Sequence, residues 1–288
     1  MKHNWKITLI LLAFFLVAQF IGIAGMYNYI DTEKSQQEGK TIFKDLPTGE
    51  RPQMDEKYSF IPITLAVLIG TIFLLLLIKY NLSWVWKIWF LLAVFLALTI
   101  SFSAFINTKI ALFLALTFSI WKIFRPNFYV HNLTELFIYG GLAIIFAPLF
   151  NLVSVIILLI IISIYDAYAV WKSKHMITMA KSQTKAKVFA GLLIPYSLKR
   201  AKKKTKTKLK KVKTAILGGG DIAFPLIFAG VILKEFGLWQ SLIIPFFAGL
   251  GLLYLLLTGD NKKFYPAMPF ISAGCFLGLG VIALISIL

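Results

Sequence analysis

Nine apolar stretches of membrane-spanning length dominate this sequence. A run of about 18 or more apolar residues predicts a transmembrane helix, and 59% of the residues are hydrophobic, with a mean hydropathy of +0.82. We therefore predict an all-α, polytopic membrane protein in which residues 1–288 form a single membrane domain. The fourth stretch is short and contains Lys122. The predicted spans are residues 7–27, 60–80, 84–106, 109–124, 133–150, 152–172, 214–236, 238–258 and 264–288.

Basic residues are concentrated in one segment of the chain. Residues 172–213 hold 15 of the 30 Lys and Arg residues and no Asp or Glu. The positive-inside rule predicts that 173–213 is a cytoplasmic loop between spans one to six (1–172) and spans seven to nine (214–288). With nine spans, the N-terminus is then cytoplasmic and the C-terminus external. The predicted external loop, 28–58, agrees because its seven acids outnumber its five bases.

The composition of the basic loop also bears on its partners. We expect it to be able to contact anionic lipid headgroups. Nucleic acid binding is the weaker interpretation, because both ends of the loop enter the membrane directly, so no nucleic acid partner is predicted. Within the loop, the apolar residues 188–198 are interpreted as a segment that lies at the membrane interface or covers a site, with a plain tether as the alternative. Residues 199–213 are interpreted as solvated.

Two aspartates, Asp166 and Asp221, lie inside apolar stretches. A carboxylate in the hydrocarbon layer costs about 2.5–3.5 kcal/mol on insertion scales, so such residues are expected to pair, to be partly protonated or to face a wet cavity. Glu135, Glu235 and Asp260 lie at the ends of predicted spans, where they can reach headgroups or water. Only Asp166 and Asp221 are therefore predicted to be interior acids.

The two aspartates are predicted to lie at the same depth. Asp166 precedes Lys172 by six residues and Asp221 follows Lys213 by eight, which corresponds to roughly 9 Å and 12 Å along a helix from the cytoplasmic boundary. Because the two spans are antiparallel and share the cytoplasmic loop, the carboxylates can face each other. Two such carboxylates share one proton. The ionised one can activate a water, and the protonated one can donate to a peptide carbonyl, which is the chemistry of aspartic proteolysis.

Two further motifs lie near the aspartates. Gly218, Gly219 and Gly220 directly precede Asp221; they weaken the helix and allow a second backbone to come close. An unwound edge there could hold a substrate as an added strand. The sequence Pro266-Ala267-Met268-Pro269 begins the ninth span from the cytoplasmic side and disfavours a regular helix start, so that backbone groups can reach the site.

These motifs resemble those of the presenilin and signal-peptide-peptidase family of intramembrane aspartyl proteases, most closely the microbial presenilin homologues. Tyr165-Asp166 is similar to the YD motif of the sixth span, and Gly218-Gly219-Gly220-Asp221 to the GxGD motif of the seventh. Pro266-Ala267-Met268 resembles the PAL motif of the ninth span, with Met268 in place of leucine. The resemblance extends over nearly all nine spans in order.

The resemblance implies a function. Asp166 and Asp221 would be the catalytic pair, while Tyr165, the glycines and Pro266-Ala267-Met268 would shape the site and position substrate. The substrates would be transmembrane segments of other membrane proteins, presented with presenilin-like polarity. The microbial homologues are thought to act without accessory subunits. No cofactor or metal is implied, the oligomeric state is left open, and the expected location is the cell membrane of a microbe.

Other classes fit less well. A zinc protease needs an HExxH motif, which this sequence lacks, and a rhomboid-type serine protease needs a membrane histidine that no predicted span supplies in a suitable place. A prepilin-peptidase-like enzyme also uses two aspartates and a GxGD motif but lacks the PAL element. An ion- or proton-coupled transporter or channel could use the same two acids. Against transport, no further acid or base is predicted in the interior to continue a pathway.

Overall fold

Helices form most of the structure, a computed structural model that describes residues 4–186, 188–196, 214–260 and 263–287. Within these ranges the chain has eleven α-helices and one two-stranded sheet. The helices are α1 (Trp5–Asn28), α2 (Thr32–Glu38), α3 (Phe60–Lys79), α4 (Ser83–Ser103), α5 (Thr108–Phe124), α6 (Phe128–Phe146), α7 (Leu152–Ala167), α8 (His175–Ala186), α9 (Gly220–Phe236), α10 (Leu238–Thr258) and α11 (Met268–Ile287). The strands are β1 (Gly191–Pro195) and β2 (Thr214–Gly218).

Nine of these helices follow the order of the nine predicted spans: α1, α3 to α7, and α9 to α11. Seven of them are long and apolar enough to cross a membrane, in two cases with a short 3-10 or π-helical continuation. The other two, α5 and α9, have 17 residues each, or about 26 Å of helix, slightly less than the ~30 Å hydrocarbon core. A mostly helical membrane protein is thus confirmed, while nine complete spans and the placement of the termini stay predictions.

The structure differs from the all-α prediction at the start of the seventh span. Residues 214–218 form strand β2 instead of a first helical turn, and α9 begins only at Gly220. Three successive glycines are poor helix formers, so the apolar residues before them pair with another short apolar segment. That segment is β1, which lies within the predicted interface segment 188–198. The lysine-rich residues 199–213 lie outside the described residues.

The hairpin is antiparallel, with Gly191 opposite Gly218 and Pro195 opposite Thr214. One of its faces is buried, because Leu192 and Leu217 are directly opposed and hardly exposed, as side-chain alternation along a strand requires. The sheet packs against α6 and α1. It therefore lies at the end of the helix bundle where α9 begins.

Helix α9 is the centre of the bundle. It contacts α1, α6, α7, α10 and α11, and its residues from Leu226 to Leu233 are all buried. By contrast, only 11% of the apolar window in α3 is buried inside the protein, so α3 is a peripheral helix with a large apolar surface available to lipid. Helix α9 thus contacts more helices than α3, which contacts α4, α7 and α8.

The opposite end of α9 is tied to the segment that was predicted to be the external loop. Lys234, in the last turn of α9, forms an ion pair with Glu56 at 2.6 Å and donates to the carbonyl of Phe150 at 3.1 Å. Thr41 donates its hydroxyl to the carbonyl of Lys234 at 2.8 Å. The 28–58 segment and the hairpin therefore lie at opposite ends of the central helix.

Helices α10 and α11 are in close contact at Gly274. Replacing this glycine with a larger residue therefore tests the contact. A Cβ on Gly274 would lie 2.2 Å from the carbonyl oxygen of Phe247, whereas a Cβ on Gly280 of the same helix would meet no atom within 4 Å. We expect Gly274→Ala to destabilise the protein by about 1–3 kcal/mol, as overpacking does. Gly280→Ala is the matched control and should be neutral or stabilising by up to ~1 kcal/mol. Thermal unfolding in detergent measures both; equal melting temperatures would contradict the close contact.

Candidate active site

Asp166 lies near the end of α7 and is buried, with 4% of its surface exposed. Its Oδ2 accepts a hydrogen bond of 3.1 Å from the backbone N–H of Met268, the first residue of α11. The first N–H groups of a helix have no partner within the helix and carry partial positive charge. The Asp166 carboxylate supplies such a partner, and the α11 dipole in turn favours its negative charge.

Tyr165 is directed to a different part of the protein. Its hydroxyl donates to Thr71 Oγ1 of α3 at 3.2 Å and lies 3.0 Å from His175 Nε2 of α8. Burial lowers the pKa of His175, so a neutral imidazole meets the phenol. After Ala167 the chain continues as a π-helix over Tyr168–Lys172, a local widening that occurs often at functional sites. Tyr165 thus joins α7 to α3 and α8.

Asp221 is the second residue of α9 and is partly exposed. Gly218 ends β2, Gly219 is the N-cap of α9, and Gly220 is its first residue. A Cβ on Gly218 would lie 3.1 Å from Asp221 Oδ2, and one on Gly219 would lie 2.8 Å from the hydroxyl of Tyr139. The absent side chains therefore leave room for the carboxylate on one side and for a phenol on the other.

The predicted third motif lies beside Asp166. Pro266 and Ala267 precede α11 in irregular backbone, and Met268 opens the helix four residues after the predicted start of the span. Ala267 and Met268 are both buried. Pro269 follows at the second helical position, where its missing N–H costs nothing because that group has no helical partner. Irregular backbone thus brings one of the free N–H groups of α11 to Asp166.

The three segments converge at one end of the bundle. Helices α7, α9 and α11 contact one another in all three pairs. Asp166 lies near the C-terminal end of α7, Asp221 in the first turn of α9, and Met268 in the first turn of α11. The structure therefore brings the predicted catalytic and substrate-positioning residues to one end of three neighbouring helices, except Tyr165, whose contacts are with α3 and α8.

A residue that the sequence analysis missed also holds this region. Gln19 of α1 is fully buried and donates its side-chain amide to the carbonyl of Ile222 at 2.8 Å. The first turn of α9 is thus held partly by a side chain from α1. A lone glutamine in an apolar span was the only sequence signal of this contact.

Comparison with known proteins shows what this arrangement is related to. The sequence profile described as signal-peptide peptidase, presenilin aspartyl protease matches residues 41–287, which is most of the chain. The chain belongs to this family. No curated protein sequence matches it at a significant level.

Solved structures share the fold of this family member. One is described as a presenilin family intramembrane aspartate protease in a C222 space group: it is 17% identical, the match covers 97% of this chain and 98% of that one, and the TM-score is 0.60. Another, described as a presenilin family intramembrane aspartate protease in a P2 space group, is 20% identical, with coverage of 98% and 100% and a TM-score of 0.58. At these identities the similarity establishes the fold. The predicted resemblance to the presenilin and signal-peptide-peptidase family is confirmed.

One expectation about this family member is wrong. Glu135 was expected near the membrane surface, but α6 begins at Phe128, where the side chain of Asn127 caps it. Glu135 is therefore two turns inside the helix, and its side chain is 1% exposed. It forms an ion pair of 2.6 Å with Lys122 of α5, whose side chain is 2% exposed. A second charged pair, besides the two aspartates, thus lies in the interior.

The cluster around this ion pair satisfies its own hydrogen bonds. Lys122 Nζ also donates to Thr134 Oγ1 at 3.0 Å and to the carbonyl of His131 at 3.3 Å, and it lies 3.2 Å from His131 Nδ1. The O–H of Tyr139 donates to Glu135 Oε2. The sequence contained a signal for this cluster: His131, Glu135 and Tyr139 are spaced by four residues and share one face of α6, and Lys122 interrupts a predicted span.

The buried pair predicts an asymmetric response to mutation. Glu135→Gln leaves the Lys122 ammonium without a counter-charge, and breaking a buried pair in this way costs about 3–5 kcal/mol. Removing both charges with Lys122→Met and Glu135→Gln should cost far less, because no uncompensated charge remains and the amide oxygen can still accept a hydrogen bond. Tryptophan-monitored thermal unfolding compares the two variants. A double variant less stable than Glu135→Gln would refute the ion pair as the reason for the loss.

Proposed function

We propose that this chain is an intramembrane aspartyl protease that hydrolyses peptide bonds within transmembrane segments of other membrane proteins, with Asp166 and Asp221 as its catalytic pair. The observation that carries the proposal is the meeting of α7, α9 and α11 at one end, where both acids lie in or against the first turn of a helix. Membership of an aspartyl protease family supports it.

The chemistry requires that the two carboxylates share one proton. The ionised carboxylate takes a proton from a water molecule, whose oxygen attacks the carbonyl carbon of the scissile bond. The protonated carboxyl donates its proton to the carbonyl oxygen as the tetrahedral intermediate forms. When the C–N bond breaks, the protonated carboxyl gives its proton to the leaving amine, and the other carboxylate takes a proton from a hydroxyl of the intermediate as the C=O bond forms again. The pair then holds one proton, as at the start. The helix N-termini at both acids favour the negative charge that this cycle needs.

The substrate must be unwound before this reaction, because the peptide bonds of a helix are shielded by its side chains and hydrogen-bonded within it. The hairpin offers an edge for an extended segment. Gly191 and Leu193 of β1 direct their backbone groups to side chains of α6. By the alternation of an antiparallel ladder, Leu192 and Leu217 then bond each other, and Ile216 and Gly218 point away from β1.

A substrate strand would add to this outer edge of β2. Gly218 is three residues before Asp221, so a strand paired with β2 would run directly to the catalytic carboxylate. Backbone pairing is independent of the substrate's side chains, which suits an enzyme that cleaves apolar segments of varied sequence.

The proposal includes an orientation of the protein in the membrane and a cellular location. The basic segment 173–213 would lie in the cytoplasm and contact anionic headgroups, with the N-terminus cytoplasmic, the C-terminus external and the protein in a microbial cell membrane. Lipid would thus surround the bundle, and transmembrane segments of substrate proteins would be the partners that the site binds. The alternatives to the proposed function are a prepilin-peptidase-like activity and coupled ion transport.

Replacement of each aspartate tests the catalytic pair. Purified protein in proteoliposomes would be mixed with a single-pass membrane substrate, and cleavage followed by mass spectrometry. Asp166→Asn and Asp221→Asn keep the side-chain shape but cannot share a proton, and each should lower the cleavage rate by about 10³-fold or more. Asp45→Asn, an exposed aspartate of the 28–58 segment, is the control and should cleave normally. Wild-type rates from either site variant, or cation uptake without cleavage, would refute the proposal.

The outer edge of β2 is tested by removing one N–H group. Ile216→Pro lacks an N–H that points away from β1 and therefore leaves the hairpin's own hydrogen bonds in place. Losing one hydrogen bond to the substrate, at about 1 kcal/mol, should raise KM about fivefold. Ile216→Ala keeps the N–H and controls for the lost side chain. If the alanine variant loses as much as the proline variant, the side chain and not the edge would be responsible.

A further inference from the structure

Beyond the catalytic pair, the buried cluster of α5 and α6 has a second set of contacts that its ion pair does not explain. The two oxygens of the Glu135 carboxylate serve different partners. Oε1 accepts from Lys122. Oε2 accepts from the phenol of Tyr139 and from the backbone N–H of Gly191 in β1, the latter at 3.1 Å. One buried carboxylate thus links α5, α6 and the hairpin.

His131 completes this link in one defined protonation state. Its Nε2 lies 2.8 Å from the carbonyl oxygen of Gly191, which can only accept, so Nε2 carries the hydrogen. Its Nδ1 faces the ammonium of Lys122, which can only donate, so Nδ1 is the acceptor. The ring is therefore neutral, and both backbone groups of Gly191 are bonded to side chains of α6.

Asn132 repeats this arrangement two residues along β1. Its amide nitrogen donates to the carbonyl of Leu193 and its amide oxygen accepts from the N–H of Leu193, both at 3.0 Å. A side-chain amide here replaces the backbone of a third strand. Together with Glu135 and His131, it bonds the outer edge of β1 at Gly191 and Leu193.

Tyr139 connects the same carboxylate to the catalytic segment. Its phenol is 2% exposed, bonds to Glu135, and lies where a side chain on Gly219 would be. Gly219 is the N-cap of α9, two residues before Asp221. A shift of Tyr139 would therefore displace the backbone at both the end of β2 and the start of α9.

We propose that Glu135 and Tyr139 are positioning residues of the active site: Glu135 holds β1 on α6, Tyr139 supports the turn at Gly219, and together they set where the β2 edge and Asp221 lie. This proposal rests on the proposed function for its kinetic consequence. Its structural consequence, the anchoring of the hairpin, is independent of catalysis.

Removal of one buried hydroxyl tests the support at Gly219. Tyr139→Phe leaves Glu135 with its bonds to Lys122 and Gly191 but frees the phenyl ring to shift. We expect kcat to fall about tenfold, as a small displacement of a reacting group does, with KM within about twofold of wild type. Tyr29→Phe is the matched control: Tyr29 is equally buried and bonds Ser103 at 2.6 Å, but it lies at the other end of α1 from the hairpin.

Hydrogen exchange measured by mass spectrometry gives a readout that does not need cleavage. Peptides covering 188–196 and 214–222 should exchange about tenfold faster in Tyr139→Phe than in Tyr29→Phe or wild type, because the anchored backbone opens more often. Equal exchange in these peptides would overturn the proposal whether or not the wild type cleaves the substrate. A wild type that fails to cleave, with the exchange difference present, would overturn the proposed function alone.

Two replacements of Glu135 test whether the N–H of Gly191 needs a hydrogen-bond acceptor or whether a side chain that fills the space is enough. In the background of Lys122→Met, Glu135→Leu offers Gly191 no acceptor, whereas Glu135→Gln keeps a neutral one. The leucine variant should lose about tenfold in kcat, and the glutamine variant should recover to within about threefold of wild type. Equal kcat values in the two variants, at equal melting temperature, would overturn the role of Glu135.

Discussion

The need to pair every backbone N–H and C=O group in a non-aqueous setting governs the end of this protein where Asp166 and Asp221 lie. Helices meet this need internally, but a two-stranded hairpin leaves two edges. One edge is completed by His131, Asn132 and Glu135, whose side chains bond the backbone of β1. The other edge belongs to β2, the strand that leads along the chain into the segment that carries Asp221. Because side chains of α6 bond the edge of β1, we propose that an extended substrate binds at the edge of β2.

Charge is handled in two different ways at this end. Lys122 and Glu135 neutralise each other and are enclosed by hydrogen bonds, so they act as structure. Asp166 accepts a hydrogen bond from the first N–H of α11, and Asp221 lies in the first turn of α9. The partial charges at a helix N-terminus favour an anion without fixing a proton to one partner.

The ion pair of Lys122 and Glu135 places two further charges in the interior, so a scarcity of interior charges does not count against transport. The geometry of the pair does: Lys122 and both Glu135 oxygens have all their described bonds within the cluster or with β1. A relay needs groups that can change partners. These groups are committed to holding the hairpin.

The sequence by itself determined the class of the protein, the order of the helices and the three motifs, because membrane-length apolar runs and interior aspartates are costly enough to be visible one residue at a time. Only the tertiary structure decided that Thr214–Gly218 is a strand, that Glu135 is buried and that Tyr165 faces α3 and α8. Strand pairing depends on a partner distant in the chain, and the depth of Glu135 depends on where Asn127 caps α6. The bond between Asp166 and Met268 joins residues 102 positions apart, and no local pattern encodes such a distance.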